Sequence, residues 1–145
     1  MERFTGKLAL VLLNDKTHTV LRDGRVLWAL QRPLTYRSDI GGVGDIVVPA
    51  GFVTDLASIP RLVTSVFPPD GPWAEAAVVH DALYYCRGGA NLWHGRRVIS
   101  REKPYSREEC DAVLREAMTD LNVPALKRQI IWSAVRVGGA HAFGT

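Results

Sequence analysis

His80 and Asp81 stand side by side in Val78-Val79-His80-Asp81-Ala82-Leu83-Tyr84-Tyr85, within a run from Trp73 to Cys86 that is otherwise apolar apart from Glu75. At about 100° per residue, Trp73, Ala77, His80 and Tyr84 share one strip of a helix, with Asp81 just beside it. A helix that is hydrophobic all round is a buried helix. Burying a neutral polar group without a partner costs about 2–7 kcal/mol, so the pair is either satisfied structurally or kept for chemistry. The chemistry on offer is acid–base. An imidazole fixed at one nitrogen by a carboxylate can take a proton from water at the other. Asp81 is an oxygen ligand of the kind a divalent cation, Ca²⁺ or Mg²⁺, would use, and such an ion would polarise a carbonyl or phosphoryl oxygen.

The carboxylate that could hold His80 lies downstream. Ser106-Arg107-Glu108-Glu109 is a capping box that opens a helix with an apolar face of Cys110, Val113, Leu114, Ala117 and Leu121. Asp111 sits about 80° from the centre of that face, at the seam where a carboxylate can point into a neighbouring helix. An acidic residue there also suits the helix dipole, so Asp111 reads both ways. Tyr84, one turn on from His80, is placed to hydrogen-bond Asp111.

A third stretch, Gly51-Phe52-Val53-Thr54-Asp55-Leu56-Ala57-Ser58-Ile59-Pro60-Arg61, mixes small polar side chains with apolar ones. As a capped turn it would order the crossing from sheet to helices. As a site, Thr54, Asp55 and Ser58 would line a cleft facing the His-Asp helix, and Arg61 would neutralise a carboxylate or a substrate anion. Residues 87–105 are polar, basic and glycine-containing, a long loop of the kind that forms lids or binding segments. His94, beside Trp93, is its candidate binding residue, against the reading of a solvated histidine.

The elements that must position these groups divide the chain. Residues 1–66 read as β-rich: a strand from Phe4 to Leu13 stopped at Asn14-Asp15-Lys16, a hairpin about Asp23-Gly24, and strands around Leu34–Tyr36 and Ile46–Val48. Gly41-Gly42-Val43-Gly44-Asp45 lacks the strand-before, helix-after setting of a phosphate loop and reads as a connector. Residues 72–137 read as helical. The Phe67–Pro72 stop precedes the buried helix, which Gly88-Gly89 end. After Pro124 a last helix turns Leu126, Ile130, Ala134 and Val137 inward and closes at Gly138-Gly139. The fold class is α+β, an antiparallel sheet followed by about three packed helices in a single domain over 1–145.

With 47% hydrophobic and 23% charged residues the chain has a globular composition. Its net charge of +3 is mild and its arginines are dispersed, so no nucleic-acid partner is expected. Arg96, Arg97 and Arg101 read as a solvated loop. The two cysteines, Cys86 and Cys110, fit free thiols in a reducing compartment rather than a disulfide framework. The apolar run from Leu8 to Leu13 is too short to span a membrane, and no cleavage site of a secretory signal follows it. Synthesis in a cytoplasm is the expectation.

His80-Asp81-x-x-Tyr84 followed by Cys110-Asp111 on a second helix resembles, at the level of the site, the secreted phospholipases of the A-two class. The resemblance implies His80 as general base, Asp81 as Ca²⁺ ligand, and Tyr84 and Asp111 as supports of the histidine, acting on a lipid or cell-envelope substrate. The disulfide lattice and the glycine-rich calcium loop of that family are absent. The His-Asp dipeptide also resembles that of the metal-dependent HD phosphohydrolases, whose further helical histidines the chain lacks. Across most of its length, the blocks from Gly51 to Arg61, Ala77 to Tyr84, and Cys110-Asp111 with Glu116-Ala117-Met118 resemble a family of short bacteriophage and prophage proteins catalogued as a domain of unknown function. That resemblance implies synthesis in a bacterial host cytoplasm. Two functions are compatible with it. One is a hydrolase-like protein with His80 as base, Asp111 as orienter and Asp81 as metal or water ligand. The other is a structural or accessory virion protein, a tail or baseplate piece incorporated with other virion proteins, in which the same network only fixes the fold.

Overall fold

A computed structural model describes residues 2–13, 21–22, 25–56, 58–67 and 72–143. The turns expected at Asn14–Lys16 and Asp23-Gly24, the stop at 68–71 and Ala57 lie outside them.

The N-terminal part is antiparallel throughout. Its strands are β1 (Phe4–Thr5), β2 (Leu10–Leu12), β3 (Leu21–Arg22), β4 (Arg25–Val26), β5 (Trp28–Leu30), β6 (Leu34–Ser38), β7 (Gly44–Val48) and β8 (Val53–Thr54). They pair as two three-stranded sheets, β1-β6-β7 and β2-β5-β8, and a β3-β4 ribbon. The expected strand from Phe4 to Leu13 is two strands in different sheets. They part at Gly6, whose φ of +89° with the Pro33 carbonyl close by suits only glycine. The tighter alternation lies in β6 and β7, where Leu34, Tyr36, Ser38, Ile46 and Val48 all point inward.

Four helices follow: α1 (Arg61–Val66), α2 (Ala74–Tyr85), α3 (Arg107–Asp120) and α4 (Ala125–Gly138). The fold is thus α+β, with three substantial helices and a short fourth at the crossing. α2 is buried on every side, lying between β7 and β8 and α3. α3 opens with both halves of the capping box, Ser106 Oγ accepting from Glu109 N and Glu109 accepting from Ser106 N. Its far end is tied to the sheet. The Tyr36 hydroxyl lies 3.0 Å from Glu116 Oε1 and 2.7 Å from Asp120 Oδ2, Ser38 donates to Glu116, and Arg3 bridges Asp39, Glu116 and Asp120. This clasp and the cap set the height of α3, and so of Asp111, against α2.

Of the four α4 residues expected to turn inward, Ala134 packs against the core and the other three do not. Leu126, Ile130 and Val137 are 75%, 45% and 88% exposed, while Ile131 and Val135 are buried. Apolar residues run almost round this helix, so periodicity offers two strips. On the packed side Ile131 and Val135 enter the core, and polar contacts to α3 flank them: Arg115 lies over the Trp132 ring and donates to Gln129, and Arg136 reaches Asp111.

The expected loop over 87–105 is ordered. After a 3-10 turn at Arg87–Gly89, residues 98–100 line the edge of β7, with Val47 N donating to Val98 O and Ser100 N to Asp45 O. Val98 and Ile99 are buried, so this stretch is part of the core.

Candidate active site

α2 carries His80, Asp81 and Tyr84, and α3 carries Asp111. The turn after β8 brings Thr54 to Ser58 against them. That turn needs Leu56 at a φ of +57°, left-handed for a non-glycine residue, a conformation that costs about 1–2 kcal/mol. Leu56 N donating to Thr54 Oγ1 and Ile59 N donating to Leu56 O hold it there.

Asp111 is the hub. Its Oδ1 lies 2.7 Å from His80 Nε2 and accepts from the Tyr84 hydroxyl at 2.6 Å, while its Oδ2 accepts from Arg136 Nη1 at 2.6 Å. Burial pushes this carboxyl up, but the His80, Tyr84 and Arg136 contacts outweigh it and hold Asp111 below the usual carboxylate range. An ionised carboxylate only accepts, so a proton of His80 is assigned to Nε2. Facing Nδ1 at 3.0 Å is Ser58 Oγ, which donates to it in the neutral tautomer with the proton on Nε2, and whose hydroxyl also bonds the Asp81 carboxyl. The result is a hydroxyl–imidazole–carboxylate chain.

Arg107 extends the support. It donates to the Tyr84 hydroxyl and to the carbonyls of Val135 and Arg136, fastening the end of α4 to the same cluster. The Tyr84 phenol is pushed well up by burial and by its bond to Asp111, so it stays a neutral donor.

Asp81 faces the other way along the turn. Its Oδ2 accepts from Thr54 Oγ1 at 2.6 Å and its Oδ1 from Ser58 N at 3.1 Å. Burial, reinforced by the nearby Asp55 charge, raises its carboxyl against the pull of these Thr54 and Ser58 bonds. The expected Ca²⁺ or Mg²⁺ does not fit this arrangement, since both oxygens are engaged by donors. Among the described residues no group of three or more His, Cys, Asp or Glu side chains converges as a metal cage. Asp81 here anchors the serine-bearing turn.

The cluster is closed to solvent: His80 and Asp111 are 0% exposed and Ser58 1%. The end of α4 and the chain beyond it form its cover. A Cβ on Gly138 would press on Pro60, and one on Gly139 would collide with the Val135 carbonyl and lie in contact with the Ser58 carbonyl and the Tyr84 ring. Phe143 then stacks edge-on to Tyr84, with Arg87 over its outer face.

The structure therefore joins His80, Asp111, Tyr84, Asp81, Thr54 and Ser58, with Asp55 buried beside them. Arg61 opens α1 with an exposed side chain. His94 lies on the exposed turn between Trp93 and Arg96 at a φ of +46°, edge-on to Trp93, and none of its described contacts reaches the cluster. Arg136 and Arg107 went unread as site residues. The available signal was the requirement that a buried carboxylate also find a cation. Cys86 caps α2 and Cys110 lies in α3. Both are free and buried; burial raises the Cys86 thiol to about 11 and that of Cys110 further.

Antiparallel sheets backed by helices that bury a hydrogen-bonded Ser-His-Asp chain define an α+β protein. The chain belongs to the DUF1353 family, proteins of unknown function, whose model matches residues 28–135 and so takes in the whole serine turn, α2 and α3. Comparison with curated proteins and with solved structures returned no match. Among the described residues no helix is long and apolar enough to cross a membrane.

Proposed function

We propose that the protein is a hydrolase-like enzyme in which His80 is the general base and Asp111 its orienter. One observation carries the reading: Nε2 of His80 is committed to a carboxylate held ionised by Tyr84 and Arg136, which leaves Nδ1 facing a hydroxyl. An imidazole so fixed in one tautomer is prepared to accept a proton and to be stabilised as imidazolium. Substrate reaches it when the chain from Gly138 onward lifts from Pro60 and Tyr84. Lipid or cell-envelope esters are the substrates this reading favours. A phage origin, with synthesis in a bacterial host, belongs to the same proposal.

The test is hydrolysis of a panel of p-nitrophenyl carboxylate and phosphate esters by the full chain and by His80→Gln. The expected result is turnover that His80→Gln lowers about 10³-fold while circular dichroism stays native. A folded wild type inert to the whole panel, or full turnover by His80→Gln, overturns the proposal.

A second reading is favoured by two observations, the complete burial of His80 and Asp111 and the exposed apolar strip of Leu126, Ile130 and Val137 on α4. In it the network only specifies the fold, and the strip docks other virion proteins. It expects the protein in purified virions, and its absence from them removes this reading.

A further inference from the structure

We infer that Ser58 Oγ is a covalent nucleophile and that the substrate is a carboxylic ester with an apolar acyl group. This rests on the proposed role of His80 and adds a reaction course to it. A general base can activate either a water or a side-chain hydroxyl. Here the only partner described for Nδ1 is Ser58 Oγ, at 3.0 Å, within the reach expected of a nucleophile and its base.

Three features hold that hydroxyl in place. Ser58 N donates to Asp81 Oδ1, and Asp81 is pinned from the other side by Thr54. The left-handed Leu56, two residues earlier, turns the chain between β8 and α1 so that Ser58 faces α2. A serine on a strained turn between strand and helix is also how a nucleophile is presented elsewhere in protein chemistry. The surroundings select the acyl group. Pro60 and Gly138 meet near Ser58, and Phe143 packs edge-on against the Tyr84 ring. An apolar acyl chain is the complement of that border.

The course conserves atoms and protons. Ser58 Oγ bonds to the ester carbonyl carbon as its proton passes to His80 Nδ1. The bond from that carbon to the leaving oxygen then breaks, and the alcohol departs with the proton from Nδ1. Water attacks the acyl-serine, Nδ1 takes its proton, and release of the carboxylic acid returns that proton to Ser58 Oγ. Nε2–H stays on Asp111 throughout.

The experiment treats the full chain with an alkyl fluorophosphonate and maps the adduct by mass spectrometry, beside turnover of p-nitrophenyl butyrate. The expected result is one adduct on Ser58, lost in Ser58→Ala, with turnover by that variant lower by about 10³-fold. Three outcomes overturn the inference: an adduct elsewhere, no adduct, or turnover by a folded Ser58→Ala within about twofold of wild type. If p-nitrophenyl butyrate turnover survives in Ser58→Ala but not in His80→Gln, His80 activates water directly, and only the nucleophile is lost. If folded wild type shows neither adduct nor turnover of any ester, both readings fall. The adduct map on wild type needs no variant, so it decides even where Ser58→Ala does not fold.

Discussion

Tyr84 and His80 meet at a single oxygen, Oδ1 of Asp111, from 2.6 and 2.7 Å, with their rings 4.2 Å apart and tilted by 38°. One turn of helix separates the two donors, so the helical repeat itself aims both at the same acceptor. Tyr84→Phe keeps the ring and removes one donor. We expect a loss of about 1–1.5 kcal/mol in urea denaturation. If the proposed role of His80 holds, kcat for an active ester falls about tenfold with KM unchanged, because the base is less well oriented rather than absent. A rise in KM with kcat intact would move Tyr84 from positioning the histidine to binding substrate.

Asp111→Asn leaves His80 and Arg136 without their carboxylate in a buried setting. Breaking a buried pair in this way costs about 3–5 kcal/mol. The sign of the pH effect follows from a folded carboxyl held below its ordinary value. Its stabilisation is fully present above the unfolded value near about 4 and is lost as the pH falls through the lower folded value. Urea midpoints taken from neutrality down to strong acid should fall more steeply below that point for wild type than for Asp111→Asn. Parallel curves would place the acid transition on other carboxyls.

Asp81 has the opposite sign. Its carboxyl is raised by burial, so its contribution is complete below the unfolded value near about 4 and fades as the pH rises through the folded value. Asp81→Asn imitates the neutral form and should remove that upward-pH loss. Identical slopes in the two proteins above pH 4 would show the carboxyl unperturbed. Because both oxygens already accept from Thr54 and Ser58, millimolar Ca²⁺ or Mg²⁺ should leave the wild-type thermal midpoint unmoved. A saturable rise, lost in Asp81→Asn, would restore the metal role.

Gly88 is the tightest glycine of the loop. At a φ of +71° a Cβ there would fall within the backbone of Tyr105, whose N–H donates to the Gly88 carbonyl. Gly88→Ala should destabilise by more than about 3 kcal/mol, since a bad φ and a backbone collision act together. Gly42, at a φ of +110° with open space around it, separates the two effects. Gly42→Ala should show only the conformational part, about 1–2 kcal/mol in the same measurement.

The helical half of the site was legible because its rules are local. The strip holding His80 and Tyr84 follows from helical spacing within an apolar run. The Ser106 cap needs four residues, and the seam position of Asp111 needs only its offset from Cys110 and Leu114. Ser58 was readable as a cleft residue but not as the partner of the histidine, because its aim depends on Leu56 in a conformation no residue type announces. Arg136 escaped because a basic residue in a last helical turn ordinarily interacts with solvent and the dipole. Its partner lies 25 positions away. The same distance problem hid the pairing of β1 with β6, where a short segment leaves one sheet for another at Gly6.

Cys86 and Cys110 give the α2–α3 seam a chemical clock. Alkylating reagents attack the thiolate, and burial both shields these sulfurs and keeps them protonated near neutral pH. Neither sulfur should react until the helices bearing His80 and Asp111 part. The rate at which a maleimide consumes them in native buffer would therefore time the opening of that helix pair, without a label added to the sequence.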